Sequence, residues 1–498
     1  MIRSLTAMVL SLAAYGEIAA QDAAAFRQER RLRLSEPVEA IIADLESYVP
    51  EYMSQQDIPG VAIALVHDGE IVWVEGFGSA NSITRKPVTP RTLFEVASNS
   101  KAMTGYVALR LVDRGELSLD TPLNDYLSEP WLPDSEHRKT ITLRHVLSHT
   151  SGLGANITLS RSSLFAPGEG YYYSGIGFMY LQEVIEQIAG QSLEAVARQM
   201  MFEPLGMSSS YFVNAPAIVP QTANGHLRAG IPALLFIVPY GVSVAVFGML
   251  ALLIMRIRTG HWRLSVRMVV AACVVAYVPS LLPVLILLGR VDLWEFVWLI
   301  ALCGLVLGGA FAVALFIGRV VILRLLPKRR TTRRALTIFW SLLIVVGLAM
   351  LAGEFTNVPV PKWPPTSANA AGSVRATVGD MANFLIELSN PQHLSAQTAA
   401  ELQTPQVALS SNLSWGLGFG IQHSQHGNAL WQWGQHLDFQ SIMIIYPTHG
   451  FGTAVCTNSD FLNPDVALEI AHRALGGEIE PIRRAVHLAF NYDYDGGN

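Results

Sequence analysis

Thr92-Leu93-Phe94-Glu95-Val96-Ala97-Ser98-Asn99-Ser100-Lys101 sets a hydroxyl and an amine three residues apart, just where an apolar stripe at Met103, Val107 and Leu111 begins. The stripe predicts a helix over about Ser98 to Arg114, with Gly115 as its stop. Residues three apart share a helical face, so a neutral Lys101 amine would reach the Ser98 hydroxyl and activate it as a nucleophile. The choice of Lys is informative, because only five of the 34 basic residues are lysines. Arg keeps its proton in a protein, whereas a partly buried Lys can lose it. The backbone N–H groups at the helix start favour a developing oxyanion. A plainer reading competes with this one: Ser98 as a helix N-cap and Lys101 as a solvated first-turn residue.

Upstream, Val61 to His67 and Ile71 to Phe77 are strand-like runs joined by Asp68-Gly69, a hairpin signal. Far downstream, a helix is predicted near Val378 to Leu388. It is followed by strands at Trp415 to Gln422, Ala429 to Trp433, Ser441 to Tyr446 and Phe451 to Thr457, and by a helix from about Asp465 to Leu475. One flank has a hairpin with many helices, the other a meander without a partner sheet. The expectation is one domain in two pieces, 21–225 and 357–476, with a C-terminal tail at 477–498.

Between the pieces, residues 226–356 read differently. The chain has 498 residues, 51% hydrophobic and 15% charged, with a mean hydropathy of +0.34. A disordered chain and a small disulfide-stapled scaffold are both excluded, since apolar residues abound and only three cysteines occur. Ile231 to Met255, Met268 to Gly289, Phe296 to Gly318 and Ala335 to Gly353 are nearly uncharged and long enough to cross about 30 Å of hydrocarbon, so four transmembrane α-helices are expected there. Arg-rich connections after the first and third spans would lie in the cytoplasm, leaving both flanks outside. Residues 1–20 resemble a weak secretory signal. These readings together imply a multi-pass inner-membrane protein, in contact with lipid, whose catalytic domain is periplasmic or extracellular. Outside the 226–356 block the charge is strongly acidic, near −15. That argues against a nucleic-acid partner.

The opening stretch and several others place the chain near a known family. Pro59-Gly60-Val61-Ala62, the Thr92 to Lys101 stretch, Gly115-Glu116-Leu117-Ser118-Leu119-Asp120, Ile141 to Leu153 with its His149-Thr150-Ser151-Gly152-Leu153, Pro167-Gly168, Tyr173-Ser174 and Glu203-Pro204-Leu205-Gly206-Met207 occur in order. In this the sequence resembles the serine hydrolases related to class C β-lactamases, D-alanyl-D-alanine carboxypeptidases and esterases of that fold. The resemblance implies an α+β architecture, an antiparallel sheet flanked by helices with a helical subdomain, here interrupted by the expected spans.

It also implies roles. Tyr173 would shuttle a proton, with Gly175 standing where the family has Asn; the competing reading makes Tyr171, Tyr172 and Tyr173 an aromatic packing cluster, and it weighs more for Tyr171 and Tyr172 than for Tyr173. Tyr171 could line the cleft. The strand triad, usually Lys or His, any residue, then Gly, is matched by Gln432-Trp433-Gly434, and the next N–H, of Gln435, would complete an oxyanion hole with that of Ser98. Gln432, Trp433 and Gly434 are thus candidate substrate contacts. Plain strand packing is the competing reading of Trp433, and His436 and Asp438 read as structural or solvated. Without a cation at Gln432, a substrate carboxylate has no charged partner. The expectation is therefore an ester or a D-amino-acid peptide rather than a β-lactam. The alternative is a penicillin-binding sensor or transducer, or a β-lactamase, with weak or no turnover. His145 and His149 lack a metal-binding pattern, and no metal or other cofactor is expected. Protein partners are not legible.

Overall fold

A computed structural model describes residues 31–154, 163–228, 357–359, 367–459 and 464–489. The first helix, α1 (Val38–Gln56), buries Ile41, Leu45, Val49 and Met53, four residues apart each time. β1 (Gly60–His67) and β2 (Glu70–Asn81) follow as a hairpin. Asp68 at φ 52° and Gly69 at φ 75° both adopt the left-handed conformation that a two-residue turn between twisted strands requires.

Short strands β3 (Lys86–Pro87) and β4 (Phe94–Glu95) lead into α2 (Asn99–Asp113). Next come α3 (Leu143–Leu147), α4 (Gly175–Ala189) and α5 (Leu193–Ala197). β5 (His226–Arg228) pairs with β6 (Asn357–Pro359), and β7 (Arg375–Ala376) pairs with β4. The chain then runs through α6 (Val378–Ser389) and α7 (Ala396–Leu402) to the strands β8 (Val407–Ser410), β9 (Leu413–Trp415), β10 (Gly420–Ser424), β11 (Gly427–Gln435), β12 (Gln440–Tyr446) and β13 (Phe451–Thr457). Helices α8 (Val466–Leu475) and α9 (Glu480–Ala489) complete it.

Nine strands form one antiparallel sheet in the order β3-β2-β1-β13-β12-β11-β10-β9-β8. The seam between the sequence-distant pieces is β1 against β13, in register from Val61 opposite Thr457 to Val66 opposite Gly452. β1 is buried on both faces, and its alternation sorts two cores. Val61, Ile63 and Leu65 pack with residues of α1 and α8, while Ala62, Ala64 and Val66 pack with residues of α2 and α6. Each large aliphatic side chain so buried contributes about 1.5–3 kcal/mol relative to exposure.

Three expectations need correction. The fold class is a β-lactamase-like antiparallel sheet with flanking helices, and among the described residues no helix is long and apolar enough to cross a membrane, which conflicts with an architecture that includes four transmembrane helices. The four predicted spans, Ile231 to Gly353, and the signal at 1–20 lie outside the described residues. The strand predicted at Trp415 to Gln422 is two strands, because the chain turns through Gly416 to Phe419 with Gly418 at φ 92°. The expected tail at 477–498 contains α9, which buries Ile482 and Val486 in the α1–α8 core.

Candidate active site

The turn between β4 and α2 is strained and tightly bonded. Ala97 sits at φ 48°, a conformation costing a non-glycine residue about 1 kcal/mol. Side chains hold it there. Ser100 Oγ donates to the Ala97 carbonyl at 2.6 Å and accepts from Val374 N–H at 2.9 Å. Ser441 Oγ, on β12, donates to the Val96 carbonyl at 2.8 Å and accepts from Asn99 Nδ2 at 2.8 Å. Ser98 does occupy the N-cap position of α2, yet its hydroxyl makes no capping bond. Lys101 is 4% exposed, so it is no solvated first-turn residue.

Lys101 Nζ lies 3.0 Å from Ser98 Oγ and donates to the Ala371 carbonyl at 2.7 Å. Ala371 is itself held by its N–H to Asn369 Oδ1 at 2.8 Å. The nucleophile candidate and its neighbouring amine therefore come from one helix, and the acceptor that aims the amine comes from the chain beyond the 229–356 segment.

Tyr173 is brought to this pair by His149. At φ 58° His149 turns its carbonyl to accept from Tyr172 N–H at 2.8 Å and its Nδ1 to accept from Ser174 N–H at 3.0 Å. Its ring lies 4.2 Å from the Tyr173 ring. Burial, and then the charge of Lys101, hold the His149 imidazole well below its ordinary pKa, in keeping with a neutral ring that accepts at Nδ1. The other side of Tyr173 meets Trp433 at 4.9 Å, and Lys101 Nζ lies 5.0 Å from its ring centre. Tyr171, a candidate cleft residue, packs against Trp415 at 5.8 Å and His149 at 5.9 Å. Burial, then Tyr173, push its phenol well above the ordinary value, so it stays protonated. Gly175 opens α4, whose N-cap Ser174 accepts from Gly177 N–H.

β11 closes the site. Gln432 is fully buried, and its Nε2 donates both to the Ser98 carbonyl and to Tyr173 Oη, each at 3.1 Å. That burial argues for a buried brace more than for the substrate contact read from the sequence. Trp433 points into the α1–α8 core. Gly434 is obligatory for a local reason: a Cβ there would overlap the Val96 carbonyl oxygen and lie 2.9 Å from Ser98 N. This close approach sets the backbone of Gln435 next to the Ser98 turn. His436, one residue on, pairs with Glu95, whose other oxygen accepts from Arg375 at 3.1 Å.

Ser98, Lys101, Tyr173, Gln432 and Gly434 thus converge, Trp433 meets the Tyr173 ring directly, Tyr171 shares with it the rings of His149 and Trp415, and Gly175 contributes only backbone. Sequence reasoning did not assign Ala371, Ser441, Asn99 or His149 to the site; Asn99 and His149 carried a signal, their places in the Thr92 to Lys101 stretch and the His149-Thr150-Ser151-Gly152-Leu153 motif. Among the described residues no group of three or more His, Cys, Asp or Glu could hold a metal ion.

The comparisons with known proteins converge on one family. The Beta-lactamase family model matches residues 45–256 and 330–478. The chain is 30% identical over 208 residues to Esterase EstB of Burkholderia gladioli, covering 35% of this chain and 53% of that protein. It is 29% identical over 191 residues to Penicillin-binding protein 4 of Amycolatopsis lactamdurans, covering 35% and 50%. It therefore spans about half the length of these curated relatives. Among solved structures, a D-alanine carboxypeptidase AmpC from Burkholderia cenocepacia aligns with a TM-score of 0.55 at 16% identity, over 88% of this chain and 99% of that one. An octameric penicillin-binding protein homologue from Pyrococcus abyssi aligns with 0.56 at 18%, over 88% and 78%. At such identities these two likenesses speak for the fold alone. With the family model matched on both sides of the middle segment, the chain belongs to the beta-lactamase family.

Proposed function

We propose that the protein is a serine acyl-hydrolase acting on an uncharged ester, or an amide, through an acyl-enzyme at Ser98. Ser98 Oγ attacks the carbonyl carbon as Lys101, with Tyr173, takes its proton. The N–H groups of Ser98 and Gln435 hold the oxyanion. Its collapse expels the alcohol or amine, which takes a proton back through Tyr173, and water then releases the acid. The observation that carries this reading is the 3.0 Å contact between a 4% exposed lysine and a 7% exposed serine hydroxyl that caps nothing. Kinship with an esterase and with penicillin-binding proteins supports the reaction class. An uncharged ester or an internal amide suits the site better than a β-lactam or a peptide ending in a free carboxylate, because the strand position that would meet a carboxylate with a cation holds neutral Gln432.

Labelling with a fluorescent fluorophosphonate and with a fluorescent penicillin tests this, beside hydrolysis of p-nitrophenyl esters of graded chain length. Ser98→Ala should abolish labelling. Lys101→Arg should lower the acylation rate by about a hundredfold or more, since the guanidinium cannot accept the proton. Equal labelling of wild type and Ser98→Ala would remove the nucleophile assignment, and a permanent adduct without ester turnover would replace the hydrolase with a sensor.

A further inference from the structure

Residues 368–371 are irregular chain, so side chains rather than a strand ladder set the geometry of their peptide groups. Four bonds do so. Gln182, two turns into α4, accepts from Ala370 N–H at 2.9 Å through Oε1 and donates to the Ala368 carbonyl at 3.1 Å through Nε2. A backbone N–H can only donate and a carbonyl can only accept, so chemistry assigns both ends of the amide. Thr104, fully buried on α2, donates its hydroxyl to the Ala370 carbonyl at 3.1 Å. Ala371 N–H then donates to Asn369 Oδ1 at 2.8 Å. The next polar group along the chain is the Ala371 carbonyl, and it accepts from Lys101 Nζ at 2.7 Å.

Resting on the acyl-hydrolase reading above, we propose that Gln182 and Thr104 form a cradle for the Ala370 peptide that aims the Ala371 carbonyl at Lys101, which makes both of them positioning residues for the general base. Lys101 and Thr104 are three apart on α2 and share a face, and they take two consecutive carbonyls, those of Ala371 and Ala370. On the other side, α4 begins two residues after Tyr173 and carries Gln182. One helix therefore places both the phenol and the clamp on the lysine's acceptor, across the join between the two pieces of the domain. A purely architectural Gln182 would act through a different bond. Its Nε2 also donates to Glu186 Oε1 at 3.1 Å, and that oxygen accepts from Leu193 N–H at 2.8 Å, which ties α4 to α5.

The experiment measures p-nitrophenyl ester hydrolysis and fluorophosphonate acylation against pH, with thermal unfolding, for wild type, Gln182→Met, Thr104→Val and Glu186→Met. Gln182→Met and Thr104→Val keep the approximate shape of the side chain and remove its bonds to the Ala370 peptide. Each should lower kcat about tenfold with KM within about twofold, since the cradle aims a base and holds no substrate. Each should also move the acidic limb of the rate to lower pH, because a carbonyl on Nζ favours the charged amine and its displacement lowers the pKa of Lys101. Tyr173 and neutral His149, the titratable groups beside Lys101, stay in place in all of these variants. Glu186→Met cuts the tie between α4 and α5 but leaves the cradle, so its Tm should fall with kcat and the limb unmoved. The two cradle variants reach one peptide from different helices, so if one does not fold the other decides. A folded Gln182→Met or Thr104→Val that loses only Tm, as Glu186→Met does, overturns the proposal. Ser98→Ala run alongside separates the two claims: full acylation of that variant defeats the hydrolase reading, whereas Ser98-dependent acylation with wild-type kcat and limb in the cradle variants defeats only the cradle.

Discussion

His226 shows how much one buried side chain can decide. Its Nε2 accepts from Ser82 N–H at 3.1 Å while its Nδ1 lies 3.2 Å from the Asn458 carbonyl, so the neutral tautomer with its proton on Nδ1 satisfies both contacts. Burial lowers its pKa from 6.5 to about 4, against the smaller opposing effect of its backbone bonds. The folded protein therefore binds fewer protons than the unfolded chain between about pH 4 and 6.5. Stability is fully present above pH 6.5 and drains away as pH falls through that window, by on the order of 3 kcal/mol for this residue. His149, depressed by burial and by Lys101, acts in the same direction. Urea unfolding between pH 7.5 and 4.5 should show stability falling with acid. In His226→Asn that slope should shrink by about one proton, and an unchanged slope would mean that His226 is not held neutral.

At the scale of elements, the site depends on β11 lying unusually close to the turn before α2. Gly434 permits the approach, and Gly434→Ala should force β11 away from the Val96 carbonyl and separate the backbone N–H groups of Ser98 and Gln435. Ester hydrolysis should fall by about a hundredfold or more, with KM much less affected, because the oxyanion is bound mainly in the transition state. A variant that folds and retains activity would show that the two N–H groups do not act together. The elements differ in how legible they are in sequence, for physical reasons. The β1–β2 hairpin, α2, α6, β13 and α8 could be read, because turn chemistry and apolar period agree there. The break between β9 and β10 could not, since Trp415 to Ile421 carries no polar side chain to mark a turn and the chain turns through Gly418 in its left-handed conformation. Ser98 and Lys101 are local in sequence and thus legible. Ala371 and Ser441 reach the site through main-chain position and sheet register, which no spacing announces.

For the whole molecule, the relevant geometry is where the chain leaves and re-enters the domain. Arg228 and Asn357 are directly opposite each other in the antiparallel β5–β6 pair, so the two ends are already placed as the ends of a hairpin. Leu227 is opposite Val358 and His226 opposite Pro359, and His226 N–H donates to the Asn458 carbonyl at 3.1 Å, while Asn458 Nδ2 donates to the Ser79 and Asn224 carbonyls at 3.0 Å each. The domain thus holds both ends with its own bonds. The β1–β13 seam and the Lys101–Ala371 bond need the second piece beside the first, but they make no use of the residues between 228 and 357. Replacing 229–356 with Asn-Gly, the pair that suits a two-residue hairpin, should therefore leave a chain that folds cooperatively and is labelled at Ser98 by fluorophosphonate at a rate within about threefold of the full-length protein. Cooperative unfolding with retained labelling would locate the acyl-transfer machinery entirely in the two flanking pieces. A folded but unlabelled product would instead mean that the middle segment completes the site, and a chain that does not fold would mean that β5 and β6 cannot hold their register without it.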